Sequence, residues 1–68
     1  MEGWFKLYST KNYLEANMIK GLLEENNIKT IILNMQDSSY LAFGELELYV
    51  PVFFKDIAQH LLNNALSN

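Results

Sequence analysis

The chain has 68 residues, a net charge of −3 at pH 7, no cysteine, and hydrophobic residues at half of its positions. This composition predicts one globular domain spanning residues 1–68, and it excludes a disulfide scaffold and a disordered segment. The five lysines are dispersed and arginine is absent, so we expect no nucleic-acid binding. No apolar run approaches the roughly 20 residues that span a bilayer, and no signal peptide is evident. We therefore expect a cytoplasmic protein that binds no membrane.

The first predicted elements are a strand and a helix. Residues 3–8 alternate, with Phe5 and Leu7 predicted to point toward the core. A helix is expected over residues 13–26, with Asn12 and Glu15 forming a capping box. Its apolar stripe comprises Ala16, Met18, Ile19, Leu22 and Leu23. We expect Gly21 to lie where another part of the backbone comes close, and Asn26–Asn27 to end the helix.

Two further strands are predicted at residues 28–34 and 45–50. The first is apolar on both faces, and we expect its core face to carry Ile28, Thr30 and Ile32. The second alternates clearly, with Leu46, Leu48 and Val50 inward and Glu45, Glu47 and Tyr49 outward. Pro51 is predicted to end this strand. On the outer face, Lys6 is a natural cross-strand partner for the glutamates.

A second helix is predicted at about residues 52–66. Its buried stripe comprises Phe54, Ile57, Ala58, Leu61, Leu62 and Ala65, whereas Phe53 and His60 share a more exposed face. The element order β-α-β-β-α predicts an α+β two-layer sandwich. It is a ferredoxin-like fold without the fourth strand, with a three-stranded sheet of order 2-3-1 and two helices on one face. The first strand would then be an edge open to other chains.

The predicted interaction sites are the sheet face that the helices leave uncovered and the loop after the second strand. The face would carry Trp4, Tyr8, Ile31, Leu33 and Tyr49. Residues 35–44, twice the usual hairpin length, carry Met35, Tyr40, Leu41 and Phe43. This loop could fold back over the face or contact a protein target or ligand. We expect a symmetric homodimer, built through the first-strand edge or through the open face.

Three stretches resemble a known family: "WFKLYST" at Trp4 to Thr10, "NYLEANMIKGLLE" at Asn12 to Glu24, and "LYVP" at Leu48 to Pro51. They are similar to short bacterial signal-transducing proteins of unknown function, whose fold is grouped with the PII-like, ferredoxin-like signalling domains. The resemblance implies this fold for nearly the whole chain. In PII regulators, a long loop between the second and third strands touches targets, and residues 35–44 occupy that position.

No residue pattern predicts catalysis, a cofactor or a metal. His60 is the only histidine, and no serine lies in a nucleophile motif. Glu45 and Glu47 are too few oxygen ligands for a hard cation. We therefore expect no catalytic, cofactor-binding or metal residues. Three functions are ranked: a non-catalytic signalling or interaction module first, a PII-like sensor of a small ligand or nucleotide second, and a small enzyme third.

Overall fold

The computed structural model describes residues 2–34 and 45–67. Strand β1 spans Trp4–Thr10, helix α1 Tyr13–Glu25, strand β2 Ile31–Asn34 and strand β3 Leu46–Pro51. A short 3₁₀ turn at Val52–Phe54 leads into helix α2 at Lys55–Leu66. The predicted β-α-β-β-α order is therefore confirmed. The start of α1 and the ends of β2 and α2 lie where the sequence predicts them; the other boundaries shift by one to three residues, and the largest shifts are at the starts of β2 and α2.

The sheet is antiparallel, with β3 paired to β1 on one side and to β2 on the other. The order β1-β3-β2 is the predicted order 2-3-1 taken from the opposite edge. Leu48 and Val50, on the central strand, are completely buried. They face the two helices, whose fully enclosed side chains include Ile19 and Leu23 on α1. The fold is thus an α+β sandwich with one core, between the sheet and the helix layer.

Helix α1 ends in a hydrogen-bonded cap that the sequence signals directly. Asn27 adopts a φ of 64°, and its N–H donates to the Glu24 carbonyl, while the Ile28 N–H donates to the Leu23 carbonyl. This is the Schellman pattern, in which a left-handed residue satisfies the last helical carbonyls. Ile28 and Leu23 are both buried. The predicted stop at Asn26–Asn27 and the inward face of Ile28 and Thr30 are confirmed.

Three predictions about the helix faces are wrong. Met18 is 59% exposed and Ile57 is 53% exposed, and Ala65 is also exposed. In α1 the core is filled by Ala16, Ile19 and Leu23, a narrower stripe than the sequence predicts. A two-layer fold covers each helix on one side only, so residues at the border of the stripe remain in solvent.

Gly21 does not lie against another described part of the chain. A Cβ built on this residue would meet no heavy atom of the described residues within 4 Å. Within residues 2–34 and 45–67, the expected close backbone approach is therefore wrong, and the described fold gives no reason for a glycine there.

Candidate functional site

A β-bulge in β1 separates the residues that alternation places together. Phe5 pairs with Val50 and Lys6 with Tyr49, but the next pair is Tyr8 with Leu48, so Leu7 is the extra residue. A bulge of one residue reverses which side chains face the core. Trp4 and Lys6 lie on the face away from the helices, as predicted. Tyr8 faces inward and packs against the core, so its predicted outward position is wrong.

The face of the sheet away from the helices is here called the open face. It is formed by Trp4, Lys6, Ser9, Ile31, Leu33, Glu47 and Tyr49, whose pairings place them on one side. Across the sheet, Tyr49 stands between Lys6 and Ile31, and Glu47 stands between Ser9 and Leu33. Ile31 and Leu33 are half-buried, as are Trp4 and Tyr49. Apolar side chains thus flank a polar centre, and four of the five predicted interface residues are brought together.

The polar centre of the open face consists of Lys6, Glu47 and Tyr49. Lys6 Nζ lies 3.4 Å from Glu47 Oε2, which confirms the predicted cross-strand pair. The Tyr49 hydroxyl donates to Glu47 Oε1 at 2.8 Å. Sequence reasoning missed this second contact, although positions two apart on a strand share a face. Both carboxylate oxygens therefore have donors from the open face itself.

These contacts explain the shifted acidities on the open face. The hydrogen bond from Tyr49 is the largest cause and lowers the pKa of Glu47; desolvation opposes it, and the hydrogen bond and charge of Lys6 add smaller lowering effects. The same bond to the anionic carboxylate raises the pKa of Tyr49, because ionisation would remove the donated proton. The centre is therefore held as one cation, one anion and one neutral phenol, with no net charge.

A second polar cluster joins the inward side of β1 to the start of α1. Glu15 Oε1 accepts a hydrogen bond from Thr10 Oγ1 at 2.7 Å and one from the Tyr8 hydroxyl at 3.1 Å. The Asn12 side chain caps the helix by accepting from the Glu15 N–H, while the Asn12 N–H donates to Thr10 Oγ1. Asn12 is the predicted cap, but the reciprocal half of the capping box is wrong, because Thr10 replaces Glu15 as the acceptor.

The inward position of Tyr8 also changes its acidity. Burial, and then the hydrogen bond and negative charge of Glu15, raise the pKa of the Tyr8 hydroxyl. The cluster of Tyr8, Thr10 and Glu15 therefore holds a neutral phenol against an acceptor. It connects two elements of the fold and contains no histidine.

His60, which was weighed for catalysis, lies apart from both clusters. His60 is exposed on α2, where its Nε2 lies 3.4 Å from Asn64 Nδ2, and the predicted exposed position of Phe53 is confirmed at 87% exposure. Within residues 2–34 and 45–67, no group of three His, Cys, Asp or Glu side chains could hold a metal ion. In the same ranges, no helix combines the length and hydropathy needed to cross a membrane. Met35, Tyr40, Leu41 and Phe43 lie outside the described residues.

Comparison with known proteins gives one match, which is to a family model. Neither the curated proteins nor the solved structures contain a significant match to the chain. A family model, by contrast, matches residues 4–65, from the first residue of β1 almost to the end of α2. The matched region includes the open face and the cluster at Glu15. The chain therefore belongs to the family described as "Putative prokaryotic signal transducing protein".

Proposed function

We propose that the chain is a non-catalytic signalling module that acts by binding a target protein through the open face. The observation that carries this proposal is the grouping of Trp4, Ile31, Leu33 and Tyr49 around a paired Lys6 and Glu47. Aromatic and aliphatic side chains that share one sheet face away from the helices are typical of protein interfaces. The family description supports a role in signalling.

The charge distribution defines the kind of target surface that fits. Lys6 and Glu47 neutralise each other, although the whole chain carries −3. When an apolar, uncharged partner surface excludes water from this pair, Lys6 and Glu47 still neutralise each other. A partner that brings a charge there must break the pair and leave a desolvated ion, which is strongly unfavourable. The open face therefore suits an apolar, uncharged patch on the target.

Site-specific photocrosslinking in the host cell tests this proposal. A crosslinking residue at position 33 should give one reproducible adduct with a protein that mass spectrometry can identify. The control places the same residue at Asn63, which is exposed on α2, and should not give that adduct. The identified protein should then change the Trp4 fluorescence of the purified chain on titration.

Two variants decide whether that binding uses the open face. Leu33→Lys adds a charge beside Glu47 and should weaken binding of the identified protein by at least about tenfold. Asn63→Lys adds the same charge on α2 and should leave binding unchanged. Equal effects of the two variants, or an adduct of equal strength from position 63, would contradict the proposal.

A further inference from the structure

The central side chains of the open face stand in two rows that cross the sheet. Read from β1 through β3 to β2, the rows are Lys6–Tyr49–Ile31 and Ser9–Glu47–Leu33. Each row begins with a polar side chain on β1 and ends with an aliphatic one on β2. Lys6 lies in the first row and its ionic partner Glu47 in the second. The two rows therefore carry opposite charges but share the same order of polar and apolar groups.

A second open face can meet both rows without placing one ion against another. If a two-fold axis crosses the strands midway between the rows, each strand lies over the same strand of the other copy, and each row faces the other row. The facing residues are then Lys6 with Ser9, Tyr49 with Glu47, and Ile31 with Leu33. Each ion faces an uncharged group that can form hydrogen bonds, and the aliphatic side chains face each other. The open face is thus complementary to itself.

Two other symmetric contacts are less suitable. With the two-fold axis along β3, each row faces itself, so Glu47 faces Glu47 of the other copy and Lys6 faces Ile31. Two carboxylates would then be desolvated together, which is strongly unfavourable. The edge of β1 is interrupted by the bulge at Leu7, and bulges on edge strands hinder pairing with another sheet. The charges and the bulge therefore favour face-to-face packing with the axis across the strands.

We propose that the open faces of two copies pack on each other in a two-fold dimer whose axis crosses the strands between the two rows. The uncharged groups that the Lys6–Glu47 pair requires opposite it are supplied by Ser9 and Tyr49 of the second copy. This dimer occupies the surface assigned above to the target protein, so the target binds the monomer and competes with the second copy. Only the competition rests on the proposed function; the dimer does not.

Solution mass measured by sedimentation across concentration tests the dimer. The wild-type chain should change from monomer to dimer between about 10 µM and several hundred micromolar, because a contact made by one small sheet face is weak. Ile31→Glu and Leu33→Lys each place a charge against an aliphatic side chain of the other copy. Each should raise the dissociation constant at least about tenfold. Asn63→Lys, on the exposed surface of α2, is the control and should leave the dissociation constant unchanged.

Mixing the two variants provides the decisive comparison. In a dimer of one Ile31→Glu chain and one Leu33→Lys chain, the new charges face each other with opposite sign, and the second contact between positions 31 and 33 is unchanged. The mixture should therefore dimerise with a dissociation constant at least about tenfold lower than that of either variant alone. Circular dichroism before mixing checks that each variant is folded.

Three results would overturn the dimer: a monomeric wild type at several hundred micromolar, a dimer that both single variants leave intact, or a mixture no tighter than the separate variants. The wild-type result decides even if a variant does not fold. None of these measurements contains a target protein, so the dimer and the proposed function can fail separately.

The competition has its own test. The protein identified by photocrosslinking at position 33, added to the wild-type dimer, should convert it to a complex that contains a single copy of the chain. A complex that contains the intact dimer would overturn the competition.

Discussion

At the scale of single residues, the polar contacts of the open face all meet at one carboxylate, that of Glu47. Glu47 accepts from Tyr49 and pairs with Lys6, and its pKa is lowered in the folded chain. A carboxylate with a lowered folded-state pKa adds stability at pH values above its unfolded-state pKa. That contribution is lost as the pH falls through the folded-state pKa.

Tyr49→Phe should therefore raise the pKa of Glu47 toward its ordinary value and cause a small loss of stability at neutral pH. The difference in free energy of unfolding between variant and wild type should disappear once Glu47 is protonated in both. Urea unfolding over an acid pH series, with the carboxyl titration followed by NMR, measures both effects. Tyr13→Phe is the control, because Tyr13 is 65% exposed on α1. A Glu47 titration that is the same in Tyr49→Phe and wild type would show that the hydroxyl contact is absent in solution.

The Thr10 side chain supports the start of α1 from the preceding strand. It donates to Glu15 and accepts from the Asn12 N–H. Thr10→Val keeps the shape but removes both contacts, and should lower the free energy of unfolding by about 1–2 kcal/mol. Ser9→Ala, on the outward side of the same strand, should cost much less. Equal losses for Thr10→Val and Ser9→Ala in denaturant unfolding would mean that the cluster at Glu15 adds no stability.

At the scale of elements, the sequence predicts most of the architecture. It does not predict which side chains of β1 face the core after the bulge. The alternation in β3 and the residues Asn26–Asn27 are local signals, and the structure confirms both. In β1, the sequence pattern predicts regular alternation through Leu7 and Tyr8, but the pairing with β3 shifts by one residue there. The bulge depends on the partner strand about 40 residues away, so no local pattern reveals it. The inward position of Tyr8 could not be predicted for that reason.

The same limit applies to the helices. Helical periodicity predicts which residues are apolar neighbours, and it correctly selects Ala16, Ile19 and Leu23. It does not give the width of the surface that the sheet covers. Met18 and Ile57 lie at the border of the predicted stripes and are exposed for that reason.

Gly21 offers a direct test at the element scale. Gly21→Ala should raise the free energy of unfolding by about 0.4–1 kcal/mol in dilute solution, because alanine reduces the freedom of the unfolded chain and meets no clash. Gly3 has a φ of +83°, a conformation that disfavours a side chain, so Gly3→Ala should be destabilising. Thermal or urea unfolding at low protein concentration compares the two. A destabilising Gly21→Ala would contradict the open space seen beside this residue.

At the scale of the whole molecule, stability depends on a core of few side chains. For a chain of this size, the free energy of unfolding is expected to be about 3–10 kcal/mol. Leu48 is completely buried on the central strand, so Leu48→Ala should cost about 2–5 kcal/mol. This one change should therefore remove a large share of the free energy of unfolding.

Leu14→Ala is the matched control for Leu48→Ala, because Leu14 is 83% exposed. It removes the same atoms from a residue outside the core, and should cost less than about 0.5 kcal/mol in dilute solution. Circular dichroism at several urea concentrations measures both variants. Similar losses at the two positions would show that the core is not the one described here. Leu22 is only half-buried, so Leu22→Ala should fall between the two.

The central position of β3 has a consequence for the order in which the molecule can fold. Neither β1 nor β2 pairs with the other in the described sheet; each pairs with β3, the last strand in the chain. Contacts between distant positions form slowly, because the intervening loop must close first. Helix α1, with its own cap at each end, can begin to form while the chain is still being synthesised. The sheet can form only after Pro51, the last residue of β3, has been added. Strand β1 therefore remains without its partner strand through most of synthesis.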